Sequence, residues 1–416
     1  MKLRVLVAVF TFGRGAGGSS ARVELTKHLD AEVAYLVANR GVGWRAIFGP
    51  EPPTIIENPV RDKPHVRPGE ASIRRLVSRN RDLWRDVAWI RRQQRIADAH
   101  EADVVCSMNT LMKRADVFFV PFLRAQSVEN SYGVRLSHKD RSLRWMDAAE
   151  RYLLHIERTN LRPENHRLIV VPSFKTRAAI EDHYGLPAAR IKVIHNAVDL
   201  SRFEKLGNVT KREAKARLGM SSGDFVILFV GRSPARKGAL ELISAVAKLR
   251  DRRLKLVLAG FEDSPVVKRH IAAAGRHFAG FRQRIDVLGD LDTPTLEMYY
   301  GAADLFVLPS HIEPFGLVAL EAMAHGVPAV VSDATGVSEV IEDTRTGFIV
   351  RAADLESDLG RVIHAGVHGQ LNLGGVGERG RNLVVRQLNW KNQANRLQEE
   401  LQEIASRRVG AGGRCG

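Results

Sequence analysis

The chain has 416 residues, 44% hydrophobic and 26% charged, which exceeds what one core usually supports and leaves ample material for two domains of roughly 200 residues each. Its two cysteines, Cys106 and Cys415, exclude a disulfide framework and a cysteine-based zinc site, and a reducing compartment fits them. A formal net charge of +16 favours a polyanionic partner: a phosphorylated substrate, an anionic membrane surface or nucleic acid.

The opening run Met1-Lys-Leu-Arg-Val-Leu-Val-Ala-Val-Phe10 passes directly into a glycine loop without a small-residue cleavage site. It reads as a first strand, Arg4–Phe10, and not as a targeting segment. No run approaches the roughly 18 to 20 apolar residues that span a bilayer, so a cytoplasmic protein is expected. The loop Thr11-Phe-Gly-Arg-Gly-Ala-Gly-Gly-Ser-Ser20 precedes a helical pattern of Val23, Leu25 and Leu29. Gly17 and Gly18 there would let backbone approach a ligand closely. Ser20 stands where the dinucleotide fingerprint wants a third glycine, which disfavours a nicotinamide enzyme.

Further strands are predicted at Glu32–Val37, Asp103–Ser107, Asp116–Val120, Leu168–Val171 and Lys192–His195. The second half repeats the scheme at Phe225–Val230, Leu254–Ala259, Ile285–Leu288, Leu305–Leu308, Ala329–Val331 and Gly347–Val350. Most are followed by a glycine or proline turn and a helical pattern, which specifies α/β domains with mainly parallel sheets. The boundary falls near His195-Asn-Ala-Val-Asp199, giving domains over 1–195 and 196–380. An amphipathic segment with Leu383, Val384, Leu388, Trp390, Leu397 and Leu401 predicts a packed helix over 381–407, and the glycine-rich 408–416 a disordered tail.

Two helical segments, 73–99 and 136–158, interleave arginines with Trp84, Trp89, Trp145 and Tyr152. Cations beside aromatics on amphipathic helices suit an anionic membrane surface or a phosphorylated lipid acceptor, and equally suit a solvated face.

The predicted strand Phe225–Val230 runs into Gly231-Arg-Ser-Pro-Ala-Arg-Lys-Gly238. Ligands of open α/β sheets collect outside such strand ends, where Arg232 offers a planar fork and Lys237 a point charge to a diphosphate. Further on, Pro309-Ser-His-Ile-Glu-Pro-Phe-Gly316 joins a predicted strand to a predicted helix bearing Leu317, Leu320 and Met323. Glu313 falls on the connecting loop and Glu321 about a turn and a half into the helix. The amides of Phe315, Gly316, Leu317 and Val318 open that helix, where a phosphate would be welcome. His195, His311 and His325 are read as structural.

Together these pieces resemble the glycosyltransferase family 4 enzymes of GT-B fold, over nearly the whole chain. The residues that carry the resemblance are Gly17-Gly18, Ser173, Lys192-Val-Ile-His-Asn-Ala-Val-Asp199, Gly231-Arg232, Lys237-Gly238, Val287-Leu-Gly289, Glu313-Pro-Phe-Gly316 and Glu321. Asn109-Thr-Leu-Met, Ala115-Asp-Val-Phe-Phe119 and Asp147-Ala-Ala-Glu150-Arg151 look closest to the lipopolysaccharide-core glucosyltransferases of that family. The resemblance implies two Rossmann-like domains facing a deep inter-domain cleft. It also implies a retaining, metal-independent hexosyl transfer from a nucleotide-sugar, expected to be a UDP-sugar, with no cofactor. The acceptor implied is a lipopolysaccharide-core, lipid-linked or other glycan.

By motif, Arg232 and Lys237 would hold the diphosphate and Glu321 the ribose hydroxyls. Leu288 would contact the base, and Glu313 the hydroxyls of the donor sugar. Gly17 and Gly18 would approach the donor, and the amides at Phe315, Gly316, Leu317 and Val318 would complete the phosphate cradle. Many relatives carry a histidine or aspartate near the donor sugar where this chain has Pro121-Phe122, so the first-domain partner stays unassigned. Alternatives are a nucleotide-sugar epimerase of GT-B shape and a basic nucleic-acid-binding protein. The latter finds no helix-turn-helix, RNA-recognition or zinc signature, so no specific nucleic acid is expected.

Overall fold

The computed structural model describes residues 2–9, 23–37, 54–57, 88, 90–126, 148–204, 209–262, 264–276 and 278–412. The chain divides into two compact units, 1–195 with 390–416 and 196–389.

Among the described residues, unit 1 is built on seven strands: β1 (Leu3–Val9), β2 (Ala31–Val37), β3 (Ile55–Glu57), β4 (Val104–Ser107), β5 (Val117–Phe119), β6 (Leu168–Val171) and β7 (Ile191–Val193). They run parallel in the order β3-β2-β1-β4-β5-β6-β7. Parallel strands are buried on both faces, so these read as mainly apolar runs, broken by a charge only at Arg4, Glu32, Glu57 and Lys192. Leu6, Val7, Val9, Val104, Val117 and Ile169 are accordingly all within 1% of full burial.

Helices return the chain between strands. Ser173 starts the helix Phe174–Tyr184 by accepting from the Thr176 amide at 3.1 Å, and Gly185 ends it at φ +63°. In the helix Ala148–Asn160, the buried Glu157 carboxylate accepts from the amides of Arg124 and Ala125 at 2.9 and 3.0 Å and from the Tyr184 hydroxyl at 2.6 Å. It thereby fixes the turn that follows β5, although burial pushes its carboxyl above the usual range.

Unit 1 departs from the sequence reading at its third strand and at its last helix. Strand β3 is absent from that reading, because three residues after two prolines show no period. The single amphipathic helix expected over 381–407 is two helices, Leu373–Gln387 in unit 2 and Trp390–Gly412 in unit 1. Between them the Leu388 carbonyl accepts from the Val198 amide at 3.0 Å, which takes it out of a helical ladder.

The last helix also continues through Gly412 where a disordered tail was expected. Arg408 donates to the carbonyls of Ala102 and Asp103 at 3.3 and 3.2 Å and so ties that end to unit 1. Residues 413–416 lie outside the described residues. The buried Leu397 and Leu401, the ion pair of Glu400 with Lys192, and the Gln398 amide on the Asp30 carbonyl hold the rest.

Unit 2 carries β8 (Phe225–Val230), β9 (Leu254–Ala259), β10 (Ile285–Val287), β11 (Leu305–Leu308), β12 (Ala329–Ser332) and β13 (Phe348–Val350), all parallel, in the order β10-β9-β8-β11-β12-β13. Counted from β8 this is the doubly wound order 3-2-1-4-5-6. The order reverses between β8 and β11, and in such sheets the crevice outside those strand ends is where ligands bind. Both strands end in the loops that carry the predicted site. Among the described residues no helix is long and apolar enough to cross a membrane.

Candidate active site

The loop after β8 is shaped by Gly238, which precedes the helix Ala239–Leu249 at φ +72°. A Cβ there would lie 2.0 Å from the Pro309 carbonyl oxygen, so only glycine lets this loop lie against the end of β11. That approach delivers Lys237 to Glu313: Nζ stands 3.0 Å from Oε2, and the two side chains are only 14% and 13% exposed.

Two further contacts stitch the loops together. Arg236 donates from Nη1 to the Ile312 carbonyl at 2.7 Å, with the same nitrogen 3.6 Å from Glu313 Oε2. The His311 amide donates to the Arg236 carbonyl at 3.0 Å, while its ring Nε2 lies 2.9 Å from Glu241 Oε1.

Glu313 is held from its other side as well. Its carbonyl accepts from the Gly336 amide at 2.9 Å, and the Phe315 carbonyl accepts from Val337 at 2.7 Å. Phe315 itself is buried, and Gly316 follows at φ +102°, where a Cβ would press on Leu308 at 3.0 Å. The helix Leu317–Ala324 therefore starts on a glycine with no side-chain cap, leaving its N-terminal dipole facing outward. Within that helix, the Tyr300 hydroxyl shares its one hydrogen between Glu321 Oε2 at 3.1 Å and the Val318 carbonyl at 3.2 Å.

Three neighbouring strands, β8, β9 and β10, run into glycines. Gly231 donates to the Ala259 carbonyl at 2.9 Å, and Gly260 donates to that of Gly289 at 3.1 Å. A Cβ on Gly260 would come within 3.1 Å of the Gly231 backbone. Above this rim Arg232 forms a forked ion pair with Asp290, Nε to Oδ1 at 3.2 Å and Nη2 to Oδ2 at 2.7 Å. Leu288 lies just past β10, half-buried, with its amide on the Leu258 carbonyl at 2.7 Å.

Of the site residues read from sequence, Lys237 and Glu313 are thus in contact, and Phe315, Gly316, Leu317 and Val318 open the adjoining helix. Arg232 pairs with Asp290. Gly17 and Gly18 lie outside the described residues. Arg236, Glu241, Asp290 and Tyr300 were not singled out in advance. Of these only Arg236 carried a signal, a cation adjoining Lys237 in the same loop. The His311 side chain is 44% exposed beside Glu241, and the His325 ring lies 5.2 Å from that of Tyr300. His195 lies just beyond β7, with Nδ1 3.0 Å from the Pro172 carbonyl. Among the described residues no group of three or more His, Cys, Asp or Glu could hold a metal ion.

Two Rossmann-like units, the second doubly wound with charged loops at its switch point, are the architecture of the GT-B fold. The model of glycosyl transferases group 1 matches residues 210–364, and that of glycosyltransferase family 4 matches 46–202. The chain belongs to glycosyltransferase family 4.

An uncharacterized glycosyltransferase of Methanocaldococcus jannaschii is 36% identical over 169 residues, 40% of this chain and 42% of that one. A D-inositol 3-phosphate glycosyltransferase of Nocardia farcinica is 32% identical over 237 residues, 54% of this chain and 51% of that one. The chain thus spans about half or less of the length of these curated relatives. In fold it is similar to Anabaena HepE, solved with UDP and glucose, with TM-score 0.66 and 16% identity over 96% of this chain and 100% of that one. It is also similar to WaaG, a glycosyltransferase involved in lipopolysaccharide biosynthesis, with TM-score 0.69 and 19% identity over 95% and 99%.

Proposed function

We propose that this glycosyltransferase is a retaining, metal-independent hexosyltransferase that takes its sugar from a UDP-sugar and delivers it to a lipid-linked or lipopolysaccharide-core glycan. The observation that carries the reading is the Lys237–Glu313 pair beside an uncapped helix start at the unit 2 switch point. The UDP in the HepE structure supports the choice of base, and the role printed for WaaG supports the acceptor class.

In this reading Arg232, Lys237 and the amides of Phe315, Gly316, Leu317 and Val318 hold the diphosphate and neutralise charge as it departs. Each charge-assisted hydrogen bond contributes about 1.5–3 kcal/mol. Glu321 accepts the ribose hydroxyls, oriented by Tyr300, and Leu288 lies against the base. Glu313, its charge tempered by Lys237, accepts from hydroxyls of the donor sugar and stabilises an oxocarbenium-like state without attacking it. The departing phosphate helps to deprotonate the acceptor on the same face, so the configuration is retained.

The names of the inositol-phosphate relatives favour a second acceptor class, a phosphorylated polyol, to which the basic chain is electrostatically suited. The arginine-rich segments 73–99 and 136–158 support docking on an anionic membrane face, although Trp84, Trp89 and Trp145 lie outside the described residues. Flotation with anionic liposomes at moderate salt tests that docking, and absence from the lipid fraction rejects it.

Calorimetric titration with UDP, GDP and ADP tests the donor site. UDP binding that Glu321→Ala abolishes is expected, and a different preferred nucleotide would reassign the donor. Absence of binding by all three would reject the nucleotide-sugar reading.

A further inference from the structure

We propose that Asp290 sets the donor affinity of this site by occupying Arg232 until a diphosphate displaces it. The inference rests on the assignment of the donor diphosphate to the loops of unit 2.

Arg232 follows β8 by two residues, and Asp290 follows β10 by three. In the sheet order these two strands flank β9, so the ion pair reaches across the end of β9. Below it runs the rim of Gly231, Gly260 and Gly289, whose backbones pass close to one another. The place where backbone comes nearest to an incoming anion is therefore covered by a carboxylate already seated on the site's planar cation.

Asp290 engages Arg232 as a phosphate would. Two of the five guanidinium donors, Nε and Nη2, meet its two oxygens in parallel, the fork geometry that suits carboxylate and phosphate alike. A diphosphate must take that face from Asp290, leaving its carboxylate without the cation, or settle beside an Arg232 that is already occupied. The exchange is easy in either direction, since the side chains are 50% and 64% exposed and such pairs hold only weakly. Lys237 is paired as well, with Glu313, but those side chains are only 14% and 13% exposed, so that pair yields less readily to an incoming ion. Arg232 is thus the cation whose availability depends on an easily displaced competitor, and Asp290 is that competitor.

Asp290→Asn keeps the size of the side chain and removes its charge. UDP is expected to bind about 3- to 10-fold more tightly to this variant at near-physiological salt. Uridine, which lacks phosphate, is expected to bind wild type and variant equally. In an Arg232→Ala background, Asp290→Asn should have at most a residual effect on UDP.

Unchanged or weaker UDP binding to Asp290→Asn would overturn the proposal, the weaker result making Asp290 an orienting residue for Arg232. Equal tightening of uridine and UDP would also overturn it, because the change would then lie in the pocket and not in the competition for charge. If wild type binds no nucleoside diphosphate at all, the donor-site assignment fails, and this inference fails with it.

Discussion

Lys237 Nζ stands 3.0 Å from Glu313 Oε2, and each side chain is about seven-eighths withdrawn from solvent. The ammonium beside the carboxylate offsets part of the cost of withdrawing both groups from water. The two come from loops after different strands, so the pair also fastens the end of β8 to that of β11.

Breaking the pair from one side strands the partner's charge. Lys237→Met is expected to lower unfolding free energy by about 3 kcal/mol, with a similar loss for Glu313→Leu. The double variant should lose less than the sum. Urea unfolding of the four proteins at neutral pH checks the cycle, and additive losses would show that the pair is not coupled.

Gly238→Ala forces a side chain into the left-handed region against the Pro309 carbonyl. A cost of about 1–3 kcal/mol in stability is expected. Nucleotide affinity should fall as well, because the loop must lift away from β11 and carry Lys237 with it. Calorimetry beside a denaturant curve separates the two effects, and full affinity in a destabilised variant would contradict the link between them.

Tyr300→Phe removes one hydroxyl and leaves the ring, which is buried against Phe306 and His325. About 1 kcal/mol of stability should be lost. If Tyr300 orients Glu321, affinity for UDP should fall roughly 3- to 10-fold while affinity for inorganic pyrophosphate stays constant.

The buried Asp358 carboxylate accepts from the Arg351 side chain at 2.7 and 2.8 Å, from the Arg351 amide at 3.1 Å and from Arg361. The Arg351 guanidinium, foremost among these, holds the carboxyl well below the usual carboxylate range. A depressed folded pKa means stabilisation that is complete above the unfolded value near 3.9 and is lost as pH falls below it. Wild type should therefore exceed Asp358→Asn in stability at pH 7, and the gap should narrow steadily below about pH 4. Paired urea curves across pH 7 to 3 check this, and a constant gap would contradict it.

The strands of both sheets were legible because a parallel strand covered on two faces is mostly apolar: Phe225–Val230, and Leu254–Ala259 with Lys255 its one charge, run between the same residues in sequence and structure. Strand β3 was not, since Ile55–Glu57 takes its identity from pairing with Tyr35, Leu36 and Val37 and not from its own pattern. Arg232, Lys237, Glu313 and Glu321 were readable because each lies near a glycine that marks a loop or helix start. Asp290 and Tyr300 were not, because their importance is a distance to residues 58 and 21 positions away. The break after Gln387 was hidden for the same reason, being set by the Val198 amide on the Leu388 carbonyl.

The helix Trp390–Gly412 completes a unit that began at the other end of the sequence. On a ribosome, unit 2 emerges as one uninterrupted piece and can fold as soon as it is made. Unit 1 must wait for the helix that buries Leu397 and Leu401. At about 5–20 residues per second that interval lasts on the order of 10 to 40 s. The unit that holds the earlier part of this sequence is thus the one completed last.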